Sequence, residues 1–259
     1  MKKKFITLSI CASLFAGYSC SSPQADEACQ DLTQYVDPYI GSGGHGHVFV
    51  GANVPYGLVQ LGPASIPQEW DWTSGYHISD STVIGFPHMH LSGTGIGDLF
   101  DITLMPVTGE VTYARGVEAD QNSGLWSYSD RSKEVVKPGY YATHLMRYGI
   151  DVELTATKRV GFHKYTFPQG KDAAVVIDLQ NGGCWDSPTK AYINKVDDKT
   201  IEGYRYSSGW ANDQRVFFVA EFSQPITSLD VMVDKGEAVA DKGEGKIVYA
   251  RANVDAKEP

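Results

Sequence analysis

Ile150-Asp151-Val152-Glu153-Leu154-Thr155-Ala156 alternates apolar and polar residues without a break, and this stretch indicates the fold class. Successive side chains of a β-strand point to opposite faces, so the alternation predicts a strand with one face buried and the other in water. An amphipathic helix would instead repeat its apolar residues every three or four positions. The stretch is therefore interpreted as a half-buried β-strand.

Further runs along the chain also predict strands. The segment 173–179 is apolar except for Asp178, which is typical of a strand buried on both faces. The segment 216–222 is β-branched and aromatic, and Lys246 to Ala250 predicts a shorter strand. No segment carries a sustained helical stripe, and turn sequences separate the runs at 137–139, 181–183 and 207–209. The predicted fold class is all-β, an antiparallel β-sandwich with long glycine-rich loops.

Long loops fill the region from residue 32 to about residue 110. Within it, His88-Met89-His90-Leu91-Ser92-Gly93-Thr94-Gly95-Ile96-Gly97-Asp98 holds two His, three Gly, two hydroxyl residues and a carboxylate. Glycines let the backbone approach a ligand closely, and the polar side chains supply hydrogen-bond donors and acceptors. Long loops on a rigid scaffold are often functional, so this run is interpreted as a binding loop.

A second loop has the same character. It begins Gly41-Ser42-Gly43-Gly44-His45-Gly46-His47 and continues through Val48-Phe49-Val50-Gly51 towards Pro63. Because the two loops share an unusual composition, we expect them to meet at one end of the sandwich.

The ordered motifs of this region resemble those of a known family. They are Tyr35-Val36-Asp37-Pro38-Tyr39-Ile40-Gly41, the glycine and histidine run that follows, Ser74-Gly75-Tyr76, and Gly85-Phe86 leading into the loop from His88. Together they are similar to glycoside hydrolase family 92, the bacterial exo-acting α-mannosidases. The resemblance implies that the intact protein is a calcium-dependent exo-α-mannosidase acting on α-mannosides of N-glycans or mannan.

The resemblance also implies a division of labour between two domains. Family members start with a β-sandwich, followed by helical linkers and an (α/α) barrel that carries the catalytic Glu and Asp and most of the calcium site. The sequence given ends at Pro259, and nothing in it matches the barrel. We therefore expect no catalytic carboxylate and no independent calcium site in this chain, and a C-terminal barrel as its partner in cis or in trans.

What the resemblance assigns to this chain is one side of the mannose pocket. The implied substrate-binding residues are His45, His47, Trp70, Asp71, Trp72, His88, His90, Ser92, Thr94 and Asp98. Pro87 and Met89 depart from the small hydroxyl residues that similar sequences lead us to expect at these positions.

Several alternatives remain open at the level of the sequence. The paired histidines, two residues apart in each loop, fit a transition-metal site, although no further ligand completes it. Trp70, Trp72 and Trp126 are sugar platforms or core residues. Asp71, flanked by two Trp, is a candidate for a desolvated carboxyl with a raised pKa. Asp71 and Asp98 would then make the chain a complete small hydrolase; a stand-alone carbohydrate-binding module of the cell surface is the other alternative.

The N-terminus predicts export. Met1-Lys2-Lys3-Lys4 and the short apolar run after it are typical of an export signal over 1–19, too short for a permanent span. Cys20 fits a lipidation site, with 20–31 as a flexible tether and 32–259 as the sandwich. The expected location is the periplasm or cell surface, on the outer membrane through a lipid anchor only.

Net charge and cysteine content argue against nucleic-acid binding and against a disulfide-stabilised fold. The formal net charge is −9, which repels nucleic acid. The four Cys include Cys11 in the signal and Cys20 at the lipidation site, so no disulfide framework is predicted. Cys184 is interpreted as a small buried apolar residue.

Overall fold

The computed structural model describes residues 31–97 and 99–256. The predictions for 1–19, for Cys20 and for Asp98 lie outside the described residues. The chain divides into two units, 1–34 and 35–259, and the account below concerns the second. No helix among the described residues has the length and apolar character needed to cross a bilayer.

The described residues form β-strands joined by loops and three short 3₁₀ helices. The 3₁₀ helices cover Leu32–Tyr35, Trp70–Trp72 and Arg131–Lys133. The strands are β1 (Ala52–Asn53), β2 (Gln60–Leu61), β3 (Thr82–Val83), β4 (Thr103–Thr108), β5 (Ser127–Tyr128), β6 (Val135–Lys137), β7 (Tyr140–Leu145), β8 (Ile150–Ala156), β9 (Gly161–Thr166), β10 (Ala173–Asp178), β11 (Ser187–Lys195), β12 (Thr200–Ser208), β13 (Gln214–Glu221), β14 (Ile226–Val233), β15 (Ala238–Ala240), β16 (Lys242–Gly245) and β17 (Val248–Val254).

Three larger sheets organise the domain, and all their strand pairs are antiparallel. The central sheet has the order β15-β14-β17-β10-β4, the outer sheet β13-β12-β11-β16, and the hairpin sheet β6-β7-β8-β9. The pairs β1-β2 and β3-β5 form two small sheets. The predicted all-β, antiparallel sandwich is confirmed.

Strand β10 explains why the central sheet lies between two hydrophobic cores. Its six residues are all buried, as the continuous apolar run predicts. Val175 and Ile177 pack with Ile193 of the outer sheet, whereas Ala174 and Val176 belong to the core that includes β8 of the hairpin sheet. Since both faces of the strand are covered, water reaches β10 only near its ends.

One predicted strand has different bounds in the structure. Lys246 to Ala250 was expected to form a short strand, but the strand runs from Val248 to Val254. The Lys246 and Ile247 amides instead donate to Oδ1 of Asp234, at 3.0 and 2.8 Å, which closes the turn before β17. A side chain distant in sequence therefore sets the start of this strand.

A buried ion network ties the outer sheet to two loops. The Arg205 side chain on β12 is fully buried; its Nη1 donates to Asp101 Oδ1 at 2.7 Å and its Nη2 to Asp186. Its Nε donates to the Leu179 carbonyl at 3.0 Å, just beyond β10. Gln214 donates to the second oxygen of Asp101, at 2.5 Å. One guanidinium therefore fixes the start of the loop after β10 and the residue that closes the loop before β4.

We expect Arg205→Met to lower the free energy of unfolding by about 3–5 kcal/mol, because it leaves the Asp101 and Asp186 carboxylates buried without their partner. Urea unfolding followed by tryptophan fluorescence measures the loss. The control is Arg215→Met: Arg215, on the neighbouring strand, is exposed and paired with exposed Asp213, so this change should alter the free energy by about 0–1 kcal/mol. Equal losses in the two variants would contradict the role given to the network.

Candidate functional site

The two glycine-rich loops meet through their backbones. The Gly93 amide donates to the His47 carbonyl at 2.5 Å. His47 has a positive φ of 53°, a conformation that non-glycine residues seldom adopt. Its side chain is only 6% exposed, and its Nε2 has no hydrogen-bond partner among the described residues. The junction between the loops is thus built around a buried histidine whose Nε2 makes no hydrogen bond within the described part of the chain but lies 3.5 Å from Asp71 Oδ1.

Trp70 covers this junction. Its ring lies edge-on to His47, with centroids 4.2 Å apart, and its Nε1 donates to the Gly95 carbonyl at 2.9 Å. Gly95 has a φ of +65°, and a Cβ there would lie 2.8 Å from the Trp70 ring, so the close approach requires glycine. The Trp70 residue remains 54% exposed, which places a large aromatic surface beside the loops in contact with water.

His45 and Asp71 form the exposed polar edge of the same cluster. His45 Nδ1 lies 2.6 Å from Asp71 Oδ1, and His47 Nε2 lies 3.5 Å from the same oxygen. The hydrogen bond from His45 holds the pKa of Asp71 below its ordinary value. The expectation that flanking tryptophans raise this pKa is wrong, because Trp70 turns towards Gly95 and leaves the carboxylate open to His45.

Trp72 points away from this edge and braces the site. Its Nε1 donates to Asp80 Oδ2 at 2.7 Å, and its ring stacks on His77 at 4.4 Å between centroids. Arg131 donates to the Asp80 carbonyl and pairs with Glu134 at 2.7 Å. The short helix that presents Asp71 is therefore held from behind by a chain of polar contacts.

This series of polar contacts ends at Glu134, a carboxylate that accepts hydrogen bonds from three tyrosines. Buried Glu134 accepts hydrogen bonds from the hydroxyls of Tyr39, Tyr76 and Tyr141 at 2.9–3.0 Å. Burial, followed by the charge of Glu134, raises the pKa of Tyr39 to about 12. The sequence offered no local signal for this group, because its members are separated by up to 95 residues.

His90 is a bracing residue. Its Nδ1 donates to the Ser74 carbonyl at 3.0 Å, and its ring stacks on Phe49 at 4.8 Å and contacts Phe100 at 5.2 Å. Burial lowers its pKa to about 4, so the ring is neutral at physiological pH. Through Phe49, two residues beyond His47, it adds a second contact between the two loops.

His88 faces the hairpin sheet. Its Nδ1 donates to the Ile102 carbonyl at 2.6 Å, and its Nε2 lies 3.1 Å from Nε2 of His163 on β9. Because a carbonyl only accepts, neutral His88 carries its proton on Nδ1, and its Nε2 accepts a hydrogen bond from the Nε2–H of His163. His163 Nδ1 in turn accepts from the Tyr165 hydroxyl at 2.7 Å. Burial lowers the pKa of both histidines. His88 thus joins the loop to the sheet rather than to His45 or His47.

The tip of the His88 loop is exposed. Ser92 and Thr94 face solvent, and Thr94 Oγ1 accepts from the Ile96 amide at 3.2 Å. Beyond them the Gly97 carbonyl accepts from the Trp185 amide at 2.8 Å. Trp185, 50% exposed, was missed by sequence reasoning although it follows a predicted glycine turn.

The structure also places Trp126 and Cys184. Trp126 is fully buried and belongs to the core. The expectation that Cys184 is buried is wrong: the residue is exposed, next to exposed Trp185 in the loop after β10. Its packing against Gly97 still raises the pKa of the thiol by partial desolvation.

Metal ligation does not fit the described side chains. Over 31–97 and 99–256, no three His, Cys, Asp or Glu side chains converge as a metal ion would require. The paired histidines separate, His45 and His47 towards Asp71, and His88 and His90 towards backbone carbonyls.

Comparisons with known proteins match this chain to glycosidases. The profile of the glycosyl hydrolase family 92 N-terminal domain matches residues 35–258. An uncharacterized secreted glycosidase of Arthroderma benhamiae is 30% identical over 184 residues, 66% of this chain and 22% of that protein. The chain therefore spans about a fifth of the length of this curated relative.

Solved structures give the same result. The family GH92 α-mannosidase BT3965 of Bacteroides thetaiotaomicron, in complex with mannoimidazole, is 35% identical with a TM-score of 0.82. The match covers 87% of this chain and 30% of that one. The GH92 family glycosyl hydrolase ccman5 is 25% identical with a TM-score of 0.74, over 87% of this chain and 31% of that one.

The buried histidines predict acid lability. Since the folded chain holds the pKa of His88, His90 and His163 below the ordinary value of about 6.5, the unfolded chain binds protons first as the pH falls. Their contribution to stability is complete above about pH 6.5 and is lost progressively below it. The melting temperature, measured from pH 7.5 down to pH 5, should therefore fall.

His163→Gln should reduce this pH dependence, because glutamine keeps one donor and one acceptor but does not titrate. Lys171→Gln, at an exposed site outside the histidine pair, is the control and should preserve the parent's profile. A His163→Gln protein with the parent's slope would show that the pair does not carry the effect.

Proposed function

Because the chain belongs to glycoside hydrolase family 92, whose N-terminal domain profile it matches over residues 35–258, we propose that it forms the sugar-facing half of an exo-α-mannosidase. In this role it binds and orients the terminal mannose of an α-mannoside of an N-glycan or mannan. The proton transfers of hydrolysis fall to an acid and a base on a C-terminal (α/α) barrel, present in cis or in trans, which also supplies the calcium site.

The observation that carries the proposal is the meeting of the two loops under Trp70. Backbone, aromatic and charged groups converge there: the Gly93 to His47 hydrogen bond, the half-exposed Trp70 ring, and the His45–Asp71 pair. Sugars are commonly bound by an aromatic surface flanked by a few fixed polar groups. The exposed hydroxyls of Ser92 and Thr94 lie on the same loop and extend this polar edge.

The electrostatics of Asp71 favour binding over acid catalysis. A general acid needs a raised pKa, whereas the His45 hydrogen bond lowers that of Asp71 and keeps it ionised. An ionised carboxylate is an acceptor for two sugar hydroxyls. This argues against a complete small hydrolase that would use Asp71 as its acid.

Export is part of the proposal. The Arthroderma benhamiae relative is named a secreted glycosidase, and the apolar run after Met1-Lys2-Lys3-Lys4 has the form of an export signal. Lipidation of Cys20 would then hold the protein on the outer membrane, at the periplasmic or cell-surface side, next to its glycan substrates.

The test is binding and hydrolysis by the chain from Cys20 to Pro259. We expect no turnover of an aryl α-mannoside or α-mannobiose, with calcium or with a chelator, because the positioned acid and base that each contribute about 10²- to 10⁴-fold come from the barrel. Weak binding of methyl α-mannoside, about millimolar, should remain. Asp71→Asn should weaken it about tenfold by removing a charged acceptor.

The matched control is Asp151→Asn. Asp151 pairs with His144 at the same 2.6 Å, but on the surface of the hairpin sheet, so its loss should leave mannoside binding unchanged. Calcium-dependent turnover by the isolated chain, abolished by Asp71→Asn, would overturn the proposal and make this carboxylate catalytic. Strong binding without any dependence on Asp71 would favour a stand-alone carbohydrate-binding module with another site.

A further prediction concerns attachment to the membrane. If Cys20 is acylated, the protein sediments with membranes through its lipid, and Cys20→Ala should release it into the soluble fraction. Cell fractionation with detection by antibody measures the shift. Cys184→Ala is the control, and it should leave the distribution unchanged. A Cys20→Ala protein that still sediments with membranes would exclude the lipid anchor.

A further inference from the structure

An open pocket lies at the opposite end of the central sheet from the candidate site. Its volume is about 640 Å³, within the range of about 300–1,000 Å³ typical of small-molecule sites. It is lined by Ala173 at the start of β10, whereas the loop that carries Trp185 follows the last residue of that strand. A six-residue strand is about 17–20 Å long, so the two places are separate.

Strand alternation explains the polar lining. Asp230 and Met232 on β14 share one face of the central sheet with Arg251 on β17, and Asp230 and Arg251 are register partners. Met232 on this face packs against the core of the hairpin sheet. Towards the Ala173 end the same face carries charged and amide groups in place of apolar ones, and these line the pocket.

The polar groups of the pocket are held in place by the protein itself. Arg251 Nη1 donates to the Gly109 carbonyl and its Nε to Asn253 Oδ1, both at 2.8 Å. Asn253 Nδ2 in turn donates to Asp230 Oδ2 at 3.0 Å. Since these groups are already ordered, a ligand that binds them loses little free energy to side-chain ordering.

Tyr113 adds an aromatic wall with a polar tip. Its ring packs on Tyr249 at 5.6 Å between centroids, and it lines the pocket next to Arg251. The Tyr113 hydroxyl is protonated at neutral pH and able to donate, and burial raises its pKa further. A ring beside fixed hydrogen-bonding groups suits a ligand with both apolar C–H surface and hydroxyls.

The charges of the lining disfavour an anionic ligand. Glu110, Asp172 and Asp230 stand against the single cation Arg251, so a phosphate or carboxylate ligand is repelled. The carboxylates do not converge as a metal ion requires, in the part of the chain that the structure describes. A neutral ligand rich in hydroxyls is repelled neither by these carboxylates nor by Arg251, and it can both donate and accept hydrogen bonds.

We propose that this pocket is a second saccharide-binding site, which takes a neutral mono- or disaccharide unit between Tyr113, Arg251 and Asp230. Vicinal hydroxyls supply the acceptors for the guanidinium and the donors for the carboxylate, and the C–H face of the ring packs on Tyr113. This site is separate from the mannose site proposed where the two loops meet under Trp70. It would hold a second part of a glycan, or a neighbouring glycan, on the same domain.

Methionine methyl groups give a separate reporter for each place. Met232 lines the pocket, Met89 lies in the loop from His88, and exposed Met146 serves as the reference. The full chain, labelled with ¹³C-methyl methionine, is titrated with α-1,2-mannobiose, cellobiose and lactose. We expect the Met232 signal to shift and saturate with at least one of these sugars, while Met146 stays fixed.

Two mild substitutions test the named contacts. Tyr113→Phe and Asp230→Asn should each weaken the Met232 response about tenfold, whereas Asp71→Asn should leave it unchanged. Tyr140→Phe is the matched control, because it also removes a tyrosine hydroxyl, here one that donates to Glu153 outside the pocket. Melting curves of all variants verify that they are folded.

The other outcomes overturn the proposal. They are an unmoved Met232 signal with all three sugars, a response that Asp71→Asn abolishes together with that of Met89, and a larger response to inorganic phosphate than to any sugar. If the Met232 signal responds and the Met89 signal does not, the result counts only against the mannose site proposed under Trp70. The two proposals can therefore fail separately.

Discussion

The buried guanidinium of Arg205 is the interaction on which the site end of the domain depends. It spans from the outer sheet to Asp101 and Asp186 and so fixes two loops that contain no regular structure of their own. Exposed loops have little apolar surface to bury, and their order must come from hydrogen bonds and charge pairs. The same strategy recurs at Glu134, where one buried carboxylate gathers three tyrosine hydroxyls behind the helix that presents Asp71.

The fold was largely predictable from the sequence, because the hydrophobic pattern within each strand identifies it. The alternating residues of β8 indicate one buried face, and the continuous apolar run of β10 indicates two. The structure contains both strands with the predicted burial. The start of β17 was not predictable, since Asp234 sets it from a position twelve or more residues away. Local pattern identifies strands, but their ends depend on tertiary contacts.

Prediction of the site was limited for the same reason. The glycine and histidine content of the two loops marks them as unusual, yet it does not tell which histidine faces solvent. His45 is exposed beside Asp71, whereas His88 is paired with His163, 75 residues away. A histidine in a loop is equally suited to donate to a carbonyl and to contact a ligand, and only the fold selects between these uses.

The central sheet also determines where binding can occur. One face of β10 and β17 is covered by the outer sheet. Polar groups on these strands are therefore found at the strand ends and on the part of the other face that the hairpin sheet does not cover. At one end, the loop after β10 meets Gly97 of the His88 loop; at the other, Arg251 and Asp230 emerge beyond the apolar residues of the same strands. A sandwich whose middle layer is buried on both sides therefore presents its hydrogen-bonding groups at two separated places. On the proposal that both places bind sugar, a glycan long enough to reach both would bind the domain more tightly than either place binds a single sugar, since the second contact forms within an existing complex.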